Sequence, residues 1–111
     1  MNKVEAIIRP EKPNDVKVAL AEVGLIGLNV VNVTGRGAQR GVTSGGSRGV
    51  GRYEINILPK VELELVVHDD ATQKAADTII EHARTGNIGD GKIFVFPVSN
   101  AIKVRTGEAA L

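Results

Sequence analysis

A glycine-rich segment in the middle of the chain limits the possible folds more than any other part of the sequence. Seven glycines lie between positions 35 and 51, and arginines stand at 36, 40, 48 and 52. Glycine loses more backbone freedom on folding than any other residue, so this density disfavours both helix and strand. We therefore predict a loop that neither packs nor holds a regular ladder. Long loops in small domains are usually functional or disordered.

Regular elements are predicted on both sides of this segment. Short β-branched runs predict strands, at residues 3–9, 28–34, 53–58, 60–67 and 93–96, the last of them buried. Apolar residues at helical spacing predict one helix that begins at Asn14 or Asp15, and a second over residues 71–83 that is capped by Asp69 and Asp70. Pro59 predicts a bulge or a sheet edge. Residues 98–105 are predicted to form a turn and a last extended segment.

This order predicts an α+β fold of the ferredoxin-like type, a split βαβ sandwich in a single domain over residues 1–111. Its sheet is antiparallel, with both helices on one face. Along 61–67, apolar residues alternate with glutamates, as expected for a strand with one buried face. The other face needs a cover. Aromatic residues make up only 3% of the chain, so self-association could extend a small aliphatic core.

Composition excludes several classes of protein. With 111 residues and a net charge of +1, the chain is not a strongly cationic nucleic-acid binder. It has no cysteine, which excludes disulfides, thiolate zinc sites and a cysteine nucleophile. The charged N-terminus is unlike a signal peptide, and no apolar run reaches the roughly 20 residues of a membrane span. We expect a cytoplasmic protein that does not insert into a membrane and binds no nucleic acid.

Three glycine-rich or basic segments are candidates for binding an anion: residues 35–41, 85–92 and 103–107. Glycines let backbone N–H groups approach a phosphate, and Arg or Lys supplies charge. Each segment has a plain alternative, namely a basic hairpin loop, a helix C-cap with an Asp-Gly turn, or a charged strand edge. The second lacks the spacing of a Walker A motif and precedes a strand. They could converge on a polyphosphate only through tertiary contacts or a neighbouring subunit.

The two histidines give little support for catalysis. His82 lies among charged helix residues and is expected at the surface. His68 precedes Asp69 and Asp70, where a helix N-terminus is a better interpretation than a metal site, since adjacent side chains diverge. No residue pattern suggests an activated nucleophile. An enzyme acting on phosphate esters is thus a minor alternative.

The residues also match a known family. The chain resembles the PII signal-transduction proteins, the nitrogen-regulatory sensors, over essentially its full length. The resemblance rests on five blocks of sequence: Glu5–Pro10, Gly35–Gly41, Leu58–Lys60, Ala83–Val95 and Ile102–Glu108. The spacing between these blocks also fits, which makes the match far more specific than any isolated glycine motif.

The resemblance implies a ferredoxin-like protomer in a homotrimer that binds ATP or ADP in clefts between subunits. It implies three loops: a T-loop at about 37–55 that docks onto partners, a B-loop at about 84–92 and a C-loop at about 104–111. The partner would be an ammonium transporter or a nitrogen-assimilation enzyme, and a transporter could recruit the protein to a membrane.

The resemblance also implies roles for single residues. Expected at the nucleotide are Ile7, Asn29, Gly35, Arg36, Gly37, Val66, Gly89, Asp90, Gly91, Lys92, Lys103 and Arg105. Expected at the effector 2-oxoglutarate are Gln39, Arg40, Gly41 and Lys60. Gln39 would also ligate the Mg²⁺ that accompanies ATP, Arg48 would enter a partner's pore, and Tyr53 aligns with a tyrosine that some members have uridylylated.

Some residues depart from the family pattern. Ala38 stands where many members place an arginine on the terminal phosphate, which should weaken the preference for ATP over ADP. Lys103 replaces another phosphate arginine and loses its bidentate geometry. Asn29 replaces a Thr or Ser whose hydroxyl contacts adenine, and its amide can still hydrogen-bond. The T-loop is two residues longer, and Arg52 stands beside Tyr53 in place of the usual glutamate.

These residues support four functional hypotheses. The first is a regulator that binds adenine nucleotide and 2-oxoglutarate and reorders its T-loop. The second, motivated by Ala38 and Lys103, is a divergent sensor of the adenine nucleotide ratio that does not respond to 2-oxoglutarate. The third is the phosphate-ester enzyme, and the fourth is a purely structural trimer.

Overall fold

The computed structural model describes residues 1–40 and 53–110, with only the backbone of 37–40 and 53–57. Its elements in chain order are β1 (Asn2–Ile8), α1 (Pro13–Glu22), β2 (Asn29–Arg40), β3 (Tyr53–Val67), a short 3₁₀ helix (Asp69–Ala71), α2 (Thr72–Ala83) and β4 (Lys92–Pro97). Gly41 and Arg48, which the resemblance placed at 2-oxoglutarate and at a partner, lie outside the described residues, as does most of the predicted T-loop.

The four strands form one antiparallel sheet in the order β2-β3-β1-β4. Two βαβ halves interleave in this order, because β1 and β3 are central neighbours and β2 and β4 lie at the edges. The sheet and its two helices confirm the predicted ferredoxin-like α+β fold.

The core lies between the helices and one face of the sheet. Alternate residues of β3 are almost fully buried: Val61, Leu63, Leu65 and Val67. They share a cluster with β1, α1 and α2, to which the other strand and the helices contribute Val4, Ala6, Ile8, Val16, Leu20, Ala75, Ile79 and Ala83. The predicted alternation of buried and exposed residues along β3 is thus confirmed.

Both helices begin differently from the prediction. α1 starts at Pro13, one residue before Asn14. Proline suits the first turn of a helix because its missing N–H would have no intrahelical partner there. Asp69 and Asp70 do not cap α2 with their side chains, since they form the 3₁₀ helix that precedes it. The carboxylate of Asp69 instead lies 2.8 Å from the N-terminal ammonium.

The prediction that the glycine-rich segment holds no ladder was wrong for its first part. β2 continues through Gly35 and Gly37 to Arg40 and pairs with Tyr53–Leu58 of β3. Backbone hydrogen bonds need no side chain, and the β-branched partner strand offers a template for pairing.

Pro59 does not interrupt β3. It lies beyond Val61, the last residue of β3 that pairs with β1, so at Pro59 the strand pairs with β2 alone. The prediction of an edge at Pro59 is thus confirmed.

The predictions for the C-terminal part need two corrections. β4 is an edge strand and is not buried, because Phe94, Val95 and Phe96 are 41–48% exposed. Residues 98–105 contain only a short extended piece, in which Ile102 pairs with Ala109 across an antiparallel bridge. The Gly107 amide donates to the Lys103 carbonyl at 2.8 Å, which closes a turn, and Gly107 adopts a left-handed φ of 71°. Lys103 and Arg105 therefore do not lie side by side along a strand.

The face of the sheet opposite the helices is called the open face here. Alternation and register place on it Lys3, Glu5, Ile7, Asn29, Val31, Val33, Gly35, Leu58, Lys60, Glu62, Glu64, Val66, Lys92, Phe94 and Phe96. No element of the described residues covers this face. In the part of the chain that the structure describes, no helix is long and apolar enough to cross a membrane.

Candidate functional site

The first pocket, called the loop pocket, lies on the open face where β1 ends and β4 begins. Its volume is about 460 Å³. Its lining comes from both βαβ halves and comprises Ile7, Gly35, Arg36, Leu58, Lys60, Ile88, Gly89, Gly91, Lys92 and Phe94. The fold thus brings two of the glycine-rich segments together, although about fifty residues separate them in the sequence.

The loop pocket is electropositive. Arg36, Lys60 and Lys92 line it, and no acidic side chain does so among the described residues. The ammonium of Lys60 donates to the carbonyl oxygen of Gly89 at 2.6 Å, which directs this cation toward the loop between α2 and β4. Three cations around an apolar floor can hold an anion that has an apolar or aromatic part.

The glycines of the loop between α2 and β4 are required by its shape. Gly89 and Gly91 have φ values of 105° and 100°, which L-residues with a side chain rarely adopt. A Cβ on Gly91 would overlap the backbone carbonyl of Ile7. The loop therefore lies directly against the end of β1, closer than any other residue type would allow.

Asp90 holds this loop from inside. Its Oδ2 accepts from the backbone N–H groups of Thr85 and Gly86 at 2.9 and 2.8 Å. Its Oδ1 accepts from the Thr85 hydroxyl at 2.6 Å and from Nε of Arg9 at 2.9 Å. Hydrogen bonds from Thr85 and then from Arg9 hold the pKa of Asp90 far below its ordinary value. The carboxylate is therefore ionised and fully engaged within the protein.

A second pocket, called the edge pocket, lies at the other end of the open face. Its volume is about 500 Å³, and it is lined by Lys3, Gly27, Leu28, Asn29, Glu64, Leu65 and Val66. Along β1, Lys3 lines the edge pocket and Ile7 lines the loop pocket. At about 3.3 Å per residue their Cα atoms lie about 13 Å apart, so the two pockets are separate within this chain.

The C-terminal segment leaves the sheet at the end that carries the edge pocket. The Val98 amide donates to the Met1 carbonyl at 3.0 Å, which extends β4 alongside the start of β1. Lys103 and Arg105, both exposed, follow from that end. The residues that the resemblance assigned to one nucleotide therefore divide between opposite ends of the sheet.

Three carboxylates form a cluster at the middle of the open face. Oxygens of Glu5, Glu62 and Glu64 lie within 4.8 Å of one another. Lys3 pairs with Glu5 at 3.2 Å and with Glu64 at 3.5 Å. Hydrogen bonding to Glu64, together with burial and the charge of Glu5, raises the pKa of Glu62 to about 7. As pH falls, Glu62 is therefore protonated at a higher pH than an ordinary glutamate.

The structure gathers many of the predicted site residues and separates others. Ile7, Gly35, Arg36, Gly89, Gly91, Lys92 and Lys60 meet at the loop pocket. Asn29 and Val66 meet at the edge pocket. Asp90 adjoins the loop pocket, but its carboxylate faces Thr85, Gly86 and Arg9. For Gly37, Gln39, Arg40 and Tyr53 the structure describes only strand backbone, so their predicted roles stay predictions.

Two residues that shape the site, Arg9 and Thr85, had no role assigned to them from the sequence. Arg9 reaches the loop from the end of β1 through Asp90 and through the Ile88 carbonyl, at 2.8 Å. Thr85 caps the same carboxylate from the end of α2. The spacing of Thr85 and Asp90 across a glycine-rich loop could have suggested a local hydrogen-bonded loop. No local signal could have revealed a contact between residues 9 and 90.

Comparison with known proteins gives a consistent result. Residues 1–108 match the family model described as nitrogen regulatory protein P-II. The chain is 53% identical to nitrogen regulatory protein P-II 1 of Escherichia coli K12 over 108 residues, which cover 97% of this chain and 95% of that protein. Identity and coverage are the same for nitrogen regulatory protein P-II of Klebsiella oxytoca. The corresponding protein of Nostoc punctiforme is 49% identical over the same shares of both chains.

Proposed function

The chain belongs to the P-II family of nitrogen regulatory proteins, and on that basis we propose that it is a homotrimeric, cytoplasmic sensor of adenine nucleotide and 2-oxoglutarate. Its membership makes it a regulatory signalling protein of nitrogen metabolism that acts on partner proteins, and not an enzyme. The alternative of a phosphate-ester enzyme is thereby set aside. The proposal covers the ligands, the assembly and the output of the protein.

The observation that carries this proposal is the composition of the loop pocket. It joins Arg36, Lys60 and Lys92 to glycines whose backbone can approach a phosphate closely. Ile7, Leu58 and Phe94 add apolar surface beside the cations. This combination suits the phosphates of ATP or ADP better than a small inorganic anion, which would need no apolar wall.

The trimer is proposed from the open face. Val66, Phe94 and Phe96 are each 37–44% exposed there, and no described element covers them. The loop pocket and the edge pocket lie at opposite ends of that face. A neighbouring subunit that brings its edge pocket to this loop pocket would unite Asn29 and Val66 with the phosphate-binding glycines. The nucleotide would then lie in a cleft between subunits.

The residues present fit the Mg²⁺ and 2-oxoglutarate sites in chemical type. An amide oxygen from Gln39 is a suitable ligand for Mg²⁺. Lys60 supplies an ammonium for an effector carboxylate, and its hydrogen bond to Gly89 already directs it into the loop pocket. The output would be docking of the T-loop, with Arg48 in it, on an ammonium transporter or a nitrogen-assimilation enzyme. Tyr53 is a candidate for modification.

Calorimetric titration tests the ligands. The protein is titrated with Mg-ATP or Mg-ADP, and then with 2-oxoglutarate in the presence and absence of Mg-ATP. We expect 2-oxoglutarate to bind only when Mg-ATP is present. In Lys60→Ala and Gln39→Ala the affinity for 2-oxoglutarate should fall at least tenfold while nucleotide still binds. Lys17→Ala, an exposed change on α1, is the matched control. Unchanged 2-oxoglutarate affinity in both variants would rule out the assigned site.

A second candidate function is a sensor of the ATP to ADP ratio alone. Ala38 and Lys103 favour it, because each removes a bidentate guanidinium from the expected phosphate site. This alternative predicts that both nucleotides bind with similar affinity and that 2-oxoglutarate binds under no condition. The same titrations therefore separate the two functions.

A further inference from the structure

We propose that Asp90 is a positioning residue, whose carboxylate holds the loop between α2 and β4 in the shape that receives the nucleotide phosphates. This inference rests on the proposed function, since it concerns the nucleotide at the loop pocket. Asp90 therefore assists an anion without contacting it through its own side chain. The hydrogen bonds of this loop and the negative charge of Asp90 both support that role.

The carboxylate of Asp90 has no capacity left for a ligand. Each of its two oxygens accepts two hydrogen bonds, from four donors at 2.6–2.9 Å on Thr85, Gly86 and Arg9. A carboxylate offers about four acceptor positions. It would also repel a phosphate, since both groups are anions. Direct recognition of phosphate by this side chain is thus disfavoured on both counts.

The same network fixes the direction of the loop's backbone. The two N–H donors of Thr85 and Gly86 tie the first turn of the loop to the Asp90 carboxylate. Arg9 bridges that carboxylate and the Ile88 carbonyl, while Lys60 binds the Gly89 carbonyl. Carbonyl and N–H of a trans peptide point in opposite directions, so fixing these carbonyls also fixes the N–H groups of Gly89 and Asp90.

The Gly89 amide is available to an anion. Its N–H group has no hydrogen-bond acceptor among the described residues, whereas the turn at residues 88 and 89 directs the Asp90 N–H toward the Asn87 carbonyl. Glycines at positive φ let such an amide approach phosphate oxygens closely. Holding the loop in one shape before binding removes an ordering cost that would otherwise weaken the affinity.

A role through charge alone and a role in positioning predict opposite changes in Mg-ATP affinity for one substitution at Asp90. Asp90→Asn keeps the size of the side chain but removes its negative charge and half of its acceptor capacity. If the carboxylate acted only through its charge, Mg-ATP should bind more tightly to this variant. If it positions the loop, Mg-ATP should bind at least tenfold more weakly, while adenosine, which has no phosphate, should change less than twofold.

A second pair of variants tests the same contact at Thr85. Thr85→Val removes the hydroxyl that donates to Asp90 but keeps the shape, and should weaken Mg-ATP about threefold. Thr85→Ser keeps the hydroxyl and should bind within twofold of the parent. The Thr85 hydroxyl also accepts from the Asn87 amide at 3.2 Å. The double variant Asp90→Asn/Thr85→Val should therefore lose less affinity than the sum of the two single losses, because only the Thr85–Asp90 contact is shared.

The experiment is calorimetry of the full chain with Mg-ATP and with adenosine, and Asp77→Asn on the exposed side of α2 is the charge-matched control. Failure of the parent protein to bind Mg-ATP would refute the proposed function itself. Binding by the parent together with equal or tighter binding by Asp90→Asn would overturn the positioning role alone. If Asp90→Asn does not fold, the Thr85 pair decides: equal affinity of Thr85→Val and Thr85→Ser would overturn it.

Discussion

The two faces of the sheet differ in residue type and in burial. The helix-covered face is aliphatic, and Val4 and Leu63 on it are fully buried. The open face has cations, a cluster of carboxylates and exposed rings such as Phe96. One face stabilises the chain by burying apolar surface, and the other keeps polar groups and pockets accessible. Burial of the core and the proposed binding of ligands thus lie on opposite sides of one sheet.

The largest expected effect lies at the rim of the loop pocket. Gly91→Ala introduces a Cβ at a φ of 100°, against the Ile7 carbonyl. Backbone strain of about 1–2 kcal/mol and overpacking of about 1–3 kcal/mol should together lower the free energy of unfolding by about 2–5 kcal/mol. Urea denaturation measures it. Gly35→Ala is the matched control, because its Cβ would lie 3.5 Å from Lys60 in ordinary contact. A similar loss in both would contradict the assigned close approach.

One substitution made on both faces tests the contrast directly. Val4→Ala removes two buried methyl groups from the helix-covered face and should cost about 2 kcal/mol in the free energy of unfolding. Val31 is 43% exposed on the open face. Val31→Ala should therefore lower the free energy of unfolding by less than about 1 kcal/mol. Chemical denaturation compares them. Equal costs would mean that another subunit covers the open face as tightly as the helices cover the other.

The proposed trimer predicts a difference between two exposed apolar residues. Phe96→Glu places a carboxylate on the open face, where Lys3 lies 5.6 Å from the ring centre. Because this face would meet other subunits, association should weaken at least tenfold, about 1.4 kcal/mol. Val18→Glu on α1, also an exposed position, should leave association unchanged. Sedimentation equilibrium measures both. Intact association of Phe96→Glu would locate the interface elsewhere.

The smallest expected effect concerns the pH dependence of stability. The pKa of Glu62 is raised from 4.5 in the unfolded chain to about 7 in the folded protein. The folded state then binds the extra proton between these values, so the free energy of unfolding should fall as pH rises from about 4.5 to 7. Because the side chain is only partly buried, screening by solvent keeps the change small.

Glu62→Gln removes that titration and should flatten the slope over the same window. Glu11→Gln, an exposed change before α1, should leave the slope as it is. Thermal unfolding followed at half-unit steps of pH measures both variants. An unchanged slope in Glu62→Gln would show that the carboxylate cluster does not link proton binding to folding.

Local pattern was sufficient to predict the helix-covered face. Alternation along β3 and helical spacing along α2 depend on neighbours in the sequence, so the buried residues Leu63, Leu65 and Ile79 follow from period alone. The exposure of β4 at the edge of the sheet could not be predicted in this way, because an apolar run such as Phe94–Phe96 has the same pattern in a central strand and in an edge strand. The pairing of Gly35 and Gly37 was missed because propensity ignores the partner strand.

The fold class, the buried stripe of each element and the three glycine-rich or basic segments can all be read from the amino-acid order. Which of these segments meet depends on the folded chain. Folding joins Gly35 and Lys60 to Gly89 in one pocket and leaves Asn29 and Val66 in another. It also turns the Asp90 carboxylate toward Arg9, 81 positions away in the chain. Periodicity arises between near neighbours, whereas long-range hydrogen-bond partners are chosen by a geometry that exists only after folding.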